Sequence, residues 1–302
     1  MTALYPPEYK VELRPNVPED FIERASEDLR GYYAHIAALD DCMARLLATL
    51  AETGLAENTI VVFTSDHGDM IGCQGIRGKH VPWDESIRVP FLFRLPLSMD
   101  GAGANGRQIP LLIDAPDIMP TLLGLCGLAV PESVQGRNFS AIIVGEEEVD
   151  PQMSTLLKVP VPYHLLRTQG ITEFRGVRTI RHTFVRNMWG PWLLYDNDAD
   201  PYQRNNLIGT PGSEDLAASL ERTLQGWLDT LGDGFEPGAV LLEQAGLAHF
   251  WEANVPWGEW PTAFSQDPFM EPTMAKELQG QRPSEEILAS AGLTADKAQP
   301  RL

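Results

Sequence analysis

The chain has 302 residues, 43% of them hydrophobic, enough for one large domain or two smaller ones with real cores. Its 42 acidic residues against 23 basic ones leave a formal charge of −19. That field excludes long-range capture of nucleic acid or an anionic membrane, so any anionic substrate must be held by a local positive site.

Residues 1–17 read as extended, with prolines at positions 6, 7 and 15. Pro18, followed by Glu19 and Asp20, opens a helix: a proline in the first turn and acids at the positive dipole end. From Tyr32 the apolar positions run 32, 36, 39, 43, 46, 47 and 50, a helical period closed by Gly54, and Gly31 is a point of division into two helices. TIVVFT, residues 59–64, is a β-branched and aromatic run without alternation, which suits a strand covered on both faces in a parallel sheet. VPFLFRL, residues 89–95, reads as a second strand and IPLLID as a weaker third. PDIMPTLLGLCG reads as a short helix ending near Gly127.

GEEEVDP, from Gly145, is a solvated linker and sets the boundaries: 1–148, 149–246 and 247–302. In the second unit RGVRTIRHTFVRN and GPWLLYDND read as strands joined by a turn, and residues 218–231 have helical spacing, giving a small α+β domain with an antiparallel sheet. The third unit, rich in Trp and Pro, reads as an arm anchored by Phe250, Trp251, Trp257 and Trp260.

Chemistry concentrates in TSDHGDMIGCQGIRGKHVPWDES, residues 64–86. In α/β sheets functional groups gather in loops beyond strand ends, and Asp66 and His67 lie just past TIVVFT. An aspartate oxygen and an adjacent imidazole nitrogen can share one divalent ion if the backbone turns sharply, which Gly68 permits. The loop returns through Gly72, Gly75 and Gly78 to Lys79, whose ammonium could hold an anion beside the metal. By itself the tripeptide Asp-His-Gly also fits a capped turn at a strand end.

The ordered run TIVVFTSDHGDMIG…GKHVPWDESIRVPFLFRLP resembles the sulfatases of the alkaline-phosphatase superfamily. So do YYAHIAALDDCMARLLATLAETGLAENT, IDAPDIMPTLLGLCGLAVPESVQGRNFS and RGVRTIRHTFVRNMWGPWLLYDNDADPYQRNNL, and the resemblance covers roughly residues 6–232. It implies an α/β fold, part of an alkaline-phosphatase-like mixed or parallel sheet layered by helices, and hydrolysis of sulfuric esters. Carried over residue by residue, Asp66 and His67 are metal ligands and Lys79 is the sulfate contact. The ion implied is Ca²⁺, with Mn²⁺ or Zn²⁺ as alternatives.

Two family features have no match here: the Asp-Asp metal pair and the Cys-x-Pro/Ala-x-Arg motif whose cysteine becomes the formylglycine nucleophile. Cys42-Met-Ala-Arg45 has its arginine one position too early, and Asp40-Asp41 lies in the same amphipathic helix. The chain therefore resembles the second half of a sulfatase. Its expected partners are a small-molecule or glycan sulfate ester and either a first half or a second copy of itself. Two rival readings remain: a phosphodiesterase or phosphonate hydrolase of the same superfamily, and a non-catalytic module that binds a partner.

Asp196, Asp198 and Asp200 alternate as in an EF-hand, but Pro201 and Leu207 stand where Gly and Glu are required, so they read as a turn. His182 with Arg178, Arg181 and Arg186 reads as a solvated strand face, and His80, adjacent to Lys79, could line the site but is given no role. Cys42, Cys73 and Cys126 have no disulfide or metal spacing. No stretch approaches the ~18 apolar residues of a membrane span, and the opening MTALYPPEYKVELRPNVPED lacks a leader pattern. The setting expected is reducing and cytoplasmic.

Overall fold

The computed structural model describes residues 4–96, 98–99, 106–162, 166–167 and 170–248. The arm expected from residue 247, with its aromatics, lies almost wholly outside the described residues. Helix α1 spans Ile22–Glu52 and is entered through a 3-10 turn, Glu19–Phe21, capped by Pro18. Gly31 does not divide it; nothing lies within 4 Å of a Cβ added there, so the glycine costs propensity without forcing a break. Gly54 follows the helix in a left-handed conformation, as its stop role requires.

Strand β1, Val61–Thr64, pairs antiparallel with β2, Phe91–Arg94, in register Val61–Arg94 to Thr64–Phe91. The parallel pairing expected for TIVVFT is not observed. The connection from 65 to 90 carries a 3-10 turn, Cys73–Gly75, and the one-turn helix α2, Asp84–Ile87, whereas a parallel return normally needs a full crossover helix. Nor is β1 covered on both faces: Phe63 and Thr64 are exposed. IPLLID forms no strand. Its last residue, Asp114, instead caps helix α3, Ala115–Leu125, in a reciprocal box with Asp117. Helix α4, Ser140–Val144, packs on α3.

The second sheet is an antiparallel meander of β3, Ser154–Val159, β4, Phe174–Thr179, β5, His182–Asn187, and β6, Gly190–Asp196, in that order. Its strands send successive side chains to two faces, and each face carries buried apolar residues. On one face Val177, Phe184 and Leu194 meet Leu220, Leu224 and Leu228 of α5, Glu214–Leu231. On the other, Phe174, Val185, Leu193 and Tyr195 meet Met70, Cys73, Ile76, Val81 and Trp83 of the loop after β1. The second face thus has a loop as its covering layer. A further helix, α6, spans Gly238–Gln244.

On the α5 face Arg175, 1% exposed, donates from Nε and Nη2 to Asp233 at 2.7 and 3.1 Å. These donors hold the Asp233 carboxyl below its ordinary 3.8. The unfolded chain therefore takes up this proton first as pH falls. The stability that the pair contributes is complete above about pH 4 and is lost as pH falls through the folded value. Asp233→Asn should lower the denaturation midpoint at pH 7 and flatten its decline below pH ~4; an unchanged acid limb would count against the pair.

Helix α1 contrasts with this core. Of its 31 residues only Ala25 and Ala34 are buried. Tyr32, Ile36, Leu39 and Leu46 expose 44–60% of their surface along one stripe. Among the described residues no helix is long and apolar enough to cross a membrane.

Candidate functional site

The three residues singled out from the sequence meet at one atom. His67 Nε2 lies 3.2 Å from Asp66 Oδ2 and 2.6 Å from Lys79 Nζ. The other ring nitrogen, Nδ1, sits 2.7 Å from the Gly68 carbonyl oxygen. A carbonyl only accepts, so this contact places the ring proton on Nδ1 and leaves the Nε2 lone pair facing Asp66 and Lys79. Asp66 is 81% exposed, and its carboxyl is lowered chiefly by the His67 backbone N–H, which donates to Oδ1 at 2.9 Å.

The loop is built by close backbone approach. Gly68 N donates to Ser86 O and Met70 N to Gly78 O, both at 2.8 Å. A Cβ on Gly68 would stand 1.9 Å from Glu85 O, so what requires glycine here is contact with α2 rather than freedom to turn. Four non-glycine residues with positive φ belong to this region: Ile71 at 45°, Gln74 at 56°, His80 at 65° and, from the turn after β6, Gln203 at 51°. Such residues are held only where the surroundings over-determine them. His80, left without a role by the sequence, brings its ring to 6.1 Å from that of His67. Burial, with Lys79 second, holds the His80 ring below its usual 6.5 and therefore neutral near pH 7.

Beneath the loop lies a buried polar network that sequence reasoning missed. Asp84 and Glu85, 7% and 9% exposed, are the first residues of α2. Arg178 donates from Nη1 and Nη2 to the two Asp84 oxygens at 2.8 and 3.2 Å. The reading of a solvated strand face is thus corrected for Arg178, while the Arg181 side chain stays exposed. Arg178 is buried against Asp84, while Arg181 pairs with Asp196 and Arg186 with Glu221. Burial raises the Asp84 carboxyl, and Arg178 opposes that shift. Strand periodicity was the available signal: Arg178 lies four residues from Phe174 and shares its loop-facing side. Asp196 also accepts from the Asp198 and Ala199 N–H groups, consistent with the turn expected there.

A family model for sulfatases matches residues 4–128, and one for the C-terminal region of N-sulphoglucosamine sulphohydrolase matches residues 72–229, more than half of the chain. The chain belongs to the sulfatase family. A Formosa agariphila ulvan-active sulfatase is 38% identical over 269 residues, which cover 85% of this chain and 51% of that one. A sulfatase structure from the glycosaminoglycan metabolism of Bacteroides thetaiotaomicron superposes with a TM-score of 0.63 at 30% identity, covering 80% of this chain and 51% of that one. Phosphonate monoester hydrolase of Agrobacterium radiobacter follows at 0.57 and 26%, covering 68% of this chain and 42% of that one. These neighbours show the α/β fold of the alkaline-phosphatase type. The sulfatase chain spans about half the length of these relatives and corresponds to their C-terminal part.

Members of this family generally use a divalent metal. The donor set fits one in kind, since the exposed Asp66 carboxylate and the His67 Nε2 lone pair face the same point. It does not fit in number: among the described residues no group of three or more His, Cys, Asp or Glu is placed to hold an ion. Lys79 Nζ stands against Nε2, so an ion bound there would displace the ammonium outward.

Proposed function

We propose that this chain is the C-terminal portion of a metal-dependent sulfuric ester hydrolase, with Asp66 and His67 as metal ligands and Lys79 as the sulfate contact. The observation that carries this reading is the convergence of Asp66 Oδ2 and Lys79 Nζ on His67 Nε2. Lys79 puts positive charge where a transferring sulfuryl group gathers negative charge, against the −19 of the whole molecule. His67 holds its lone pair fixed through Nδ1, and Asp66 adds a carboxylate beside it. A bound metal would offset charge on the sulfate oxygens and orient the nucleophile. Hard oxygen donors favour Ca²⁺, and the imidazole admits Mn²⁺ or Zn²⁺.

The relatives' activities support a sulfated glycan as substrate, through the ulvan-active sulfatase in particular. The residues that would carry the formylglycine and the Asp-Asp pair are supplied by a first half of the sulfatase type, seated on the exposed stripe of α1 and on the edges of the β1–β2 pair, which carry no further strand among the described residues. Left uncovered, those surfaces favour self-association. The three cysteines are unpaired and support a reducing, cytoplasmic setting. The phosphonate monoester hydrolase neighbour supports a second reading, hydrolysis of a phosphonate or phosphate diester by the same three residues.

One carboxylate and one imidazole leave most of a Ca²⁺ shell to water. The chain alone should bind Ca²⁺ with a Kd on the order of millimolar. In a calorimetric titration this weak binding should disappear in Asp66→Ala. Binding that survives Asp66→Ala would refute the ligand assignment, and micromolar affinity would show the shell to be complete within this chain.

A further inference from the structure

We propose that the turn Asp200–Gln203 and Arg178 of the four-stranded sheet are the positioning elements of the 66–79 loop, acting on it through Asp84. This rests on the reading of Asp66, His67 and Lys79 as the site, and it names what holds those three together.

The bonds run from sheet to loop without a gap. Gln203 is 1% exposed at φ 51°, and its Oε1 accepts from the Asp84 backbone N–H at 2.8 Å. Its Nε2 donates to Asn197 Oδ1 at 2.9 Å and to Asp84 Oδ1 at 3.3 Å. Arg178 closes the same carboxylate from the strand side with its two-pronged contact. The turn also grips the far side of the loop: Gln74 Nε2 donates to Gln203 O at 2.9 Å and Tyr202 O at 3.2 Å. Asn16 ties the two grips together. It donates from Nδ2 to Glu85 Oε1 and to Tyr202 O, and its carbonyl accepts from Gln74 N.

The force reaches the candidate site through backbone alone. Asp84 and Glu85 open α2, Gly68 lies against Glu85 O, and Gly68 N is bonded to Ser86 O. Gly68 O in turn fixes the His67 ring. A shift of α2 therefore moves the imidazole directly. Of the strained φ values in the loop, that at Gln74 sits at one grip and that at His80 lies between the two, and Gln203, which makes both, is strained itself. A loop that merely filled the sheet's apolar face would need packing, not polar clamps at two points.

Cys73 supplies a native reporter, because it is 4% exposed inside the loop and its thiol is pushed up to about 12, mainly by burial. The full chain carrying Cys42→Ser and Cys126→Ser, so that only Cys73 reacts, is the background for the test. Gln203→Gly keeps the positive-φ turn unstrained while deleting the clamp; Arg178→Lys keeps the charge and loses the fork. Asp233→Asn is the control, breaking a pair on the opposite face of the same sheet. The measurements are native-state labelling of Cys73 by a disulfide reagent, imidazole proton–nitrogen spectra, and global unfolding. We expect Gln203→Gly and Arg178→Lys to speed labelling about tenfold or more beyond what global stability explains. The His67 and His80 ring signals should shift in both. In Asp233→Asn, labelling should change only in step with global stability and the ring signals should stay. The proposal falls if the two clamp variants behave like Asp233→Asn, or if neither disturbs Cys73 and the rings. No readout involves metal or ester, so an intact clamp in a chain that binds no metal would count against the function alone.

Discussion

Gly68→Ala should lower the stability of the chain by about 3 kcal/mol, the upper end of what forcing an extra group into a closed contact costs. The added methyl would stand 1.9 Å from Glu85 O and 2.9 Å from its carbonyl carbon, and neither belongs to a side chain that can swing aside. Relief requires the loop and α2 to separate, which breaks the Gly68 N–Ser86 O bond and unseats His67. Two other glycines serve as controls. Gly78→Ala meets open space but keeps φ at 87°, so strain alone should cost about 1–2 kcal/mol. Gly31→Ala, exposed in α1 with nothing within 4 Å, should stabilise by about 1 kcal/mol. Denaturant unfolding of the three variants separates contact, strain and propensity. Equal costs at positions 68 and 78 would mean that the loop is not pressed on α2.

Local signals carried much of this architecture. The apolar period from Tyr32, the stop at Gly54, an antiparallel second sheet and the α5 helix follow from side-chain periodicity and turn chemistry, and the structure has each of them. But β3 went unread, and RGVRTIRHTFVRN holds two strands, β4 and β5, rather than one. Asp66 and His67 were legible because a short apolar run ends immediately before them, and Lys79 because the ordered motif around it resembles a family. What local reading could not supply was pairing. Whether Phe91–Arg94 returns parallel or antiparallel depends on how the 65–90 loop is folded, and that loop has no helix long enough to advertise the answer. Arg178 was misread for the same reason. An arginine in a strand looks solvated until Asp84, 94 positions earlier, arrives to meet it. Gly68 was legible as necessary, though for a different reason from the one that operates.

Mixed with the first half of a sulfatase bearing formylglycine and the Asp-Asp pair, this chain should hydrolyse a sulfate ester that neither piece hydrolyses alone. Positioning groups give little rate without a nucleophile, so the chain by itself should be indistinguishable from its Lys79→Ala variant. In the mixture Lys79→Ala should lower kcat on the order of 10²- to 10³-fold, as loss of one preorganised charge at a developing anion does. Asp66→Ala should act differently, weakening the dependence on added metal before it limits kcat. The stripe of Tyr32, Ile36, Leu39 and Leu46 should be covered in the same step, so that size-exclusion chromatography shows one defined complex where the lone chain self-associates. Charge replacement on that stripe, Leu39→Lys with Leu46→Lys, should abolish complementation while sparing the lone chain's fold, because neither side chain is buried in it. Hydrolysis by the lone chain that Lys79→Ala removes would overturn this account, since the chemistry would then need nothing beyond these 302 residues.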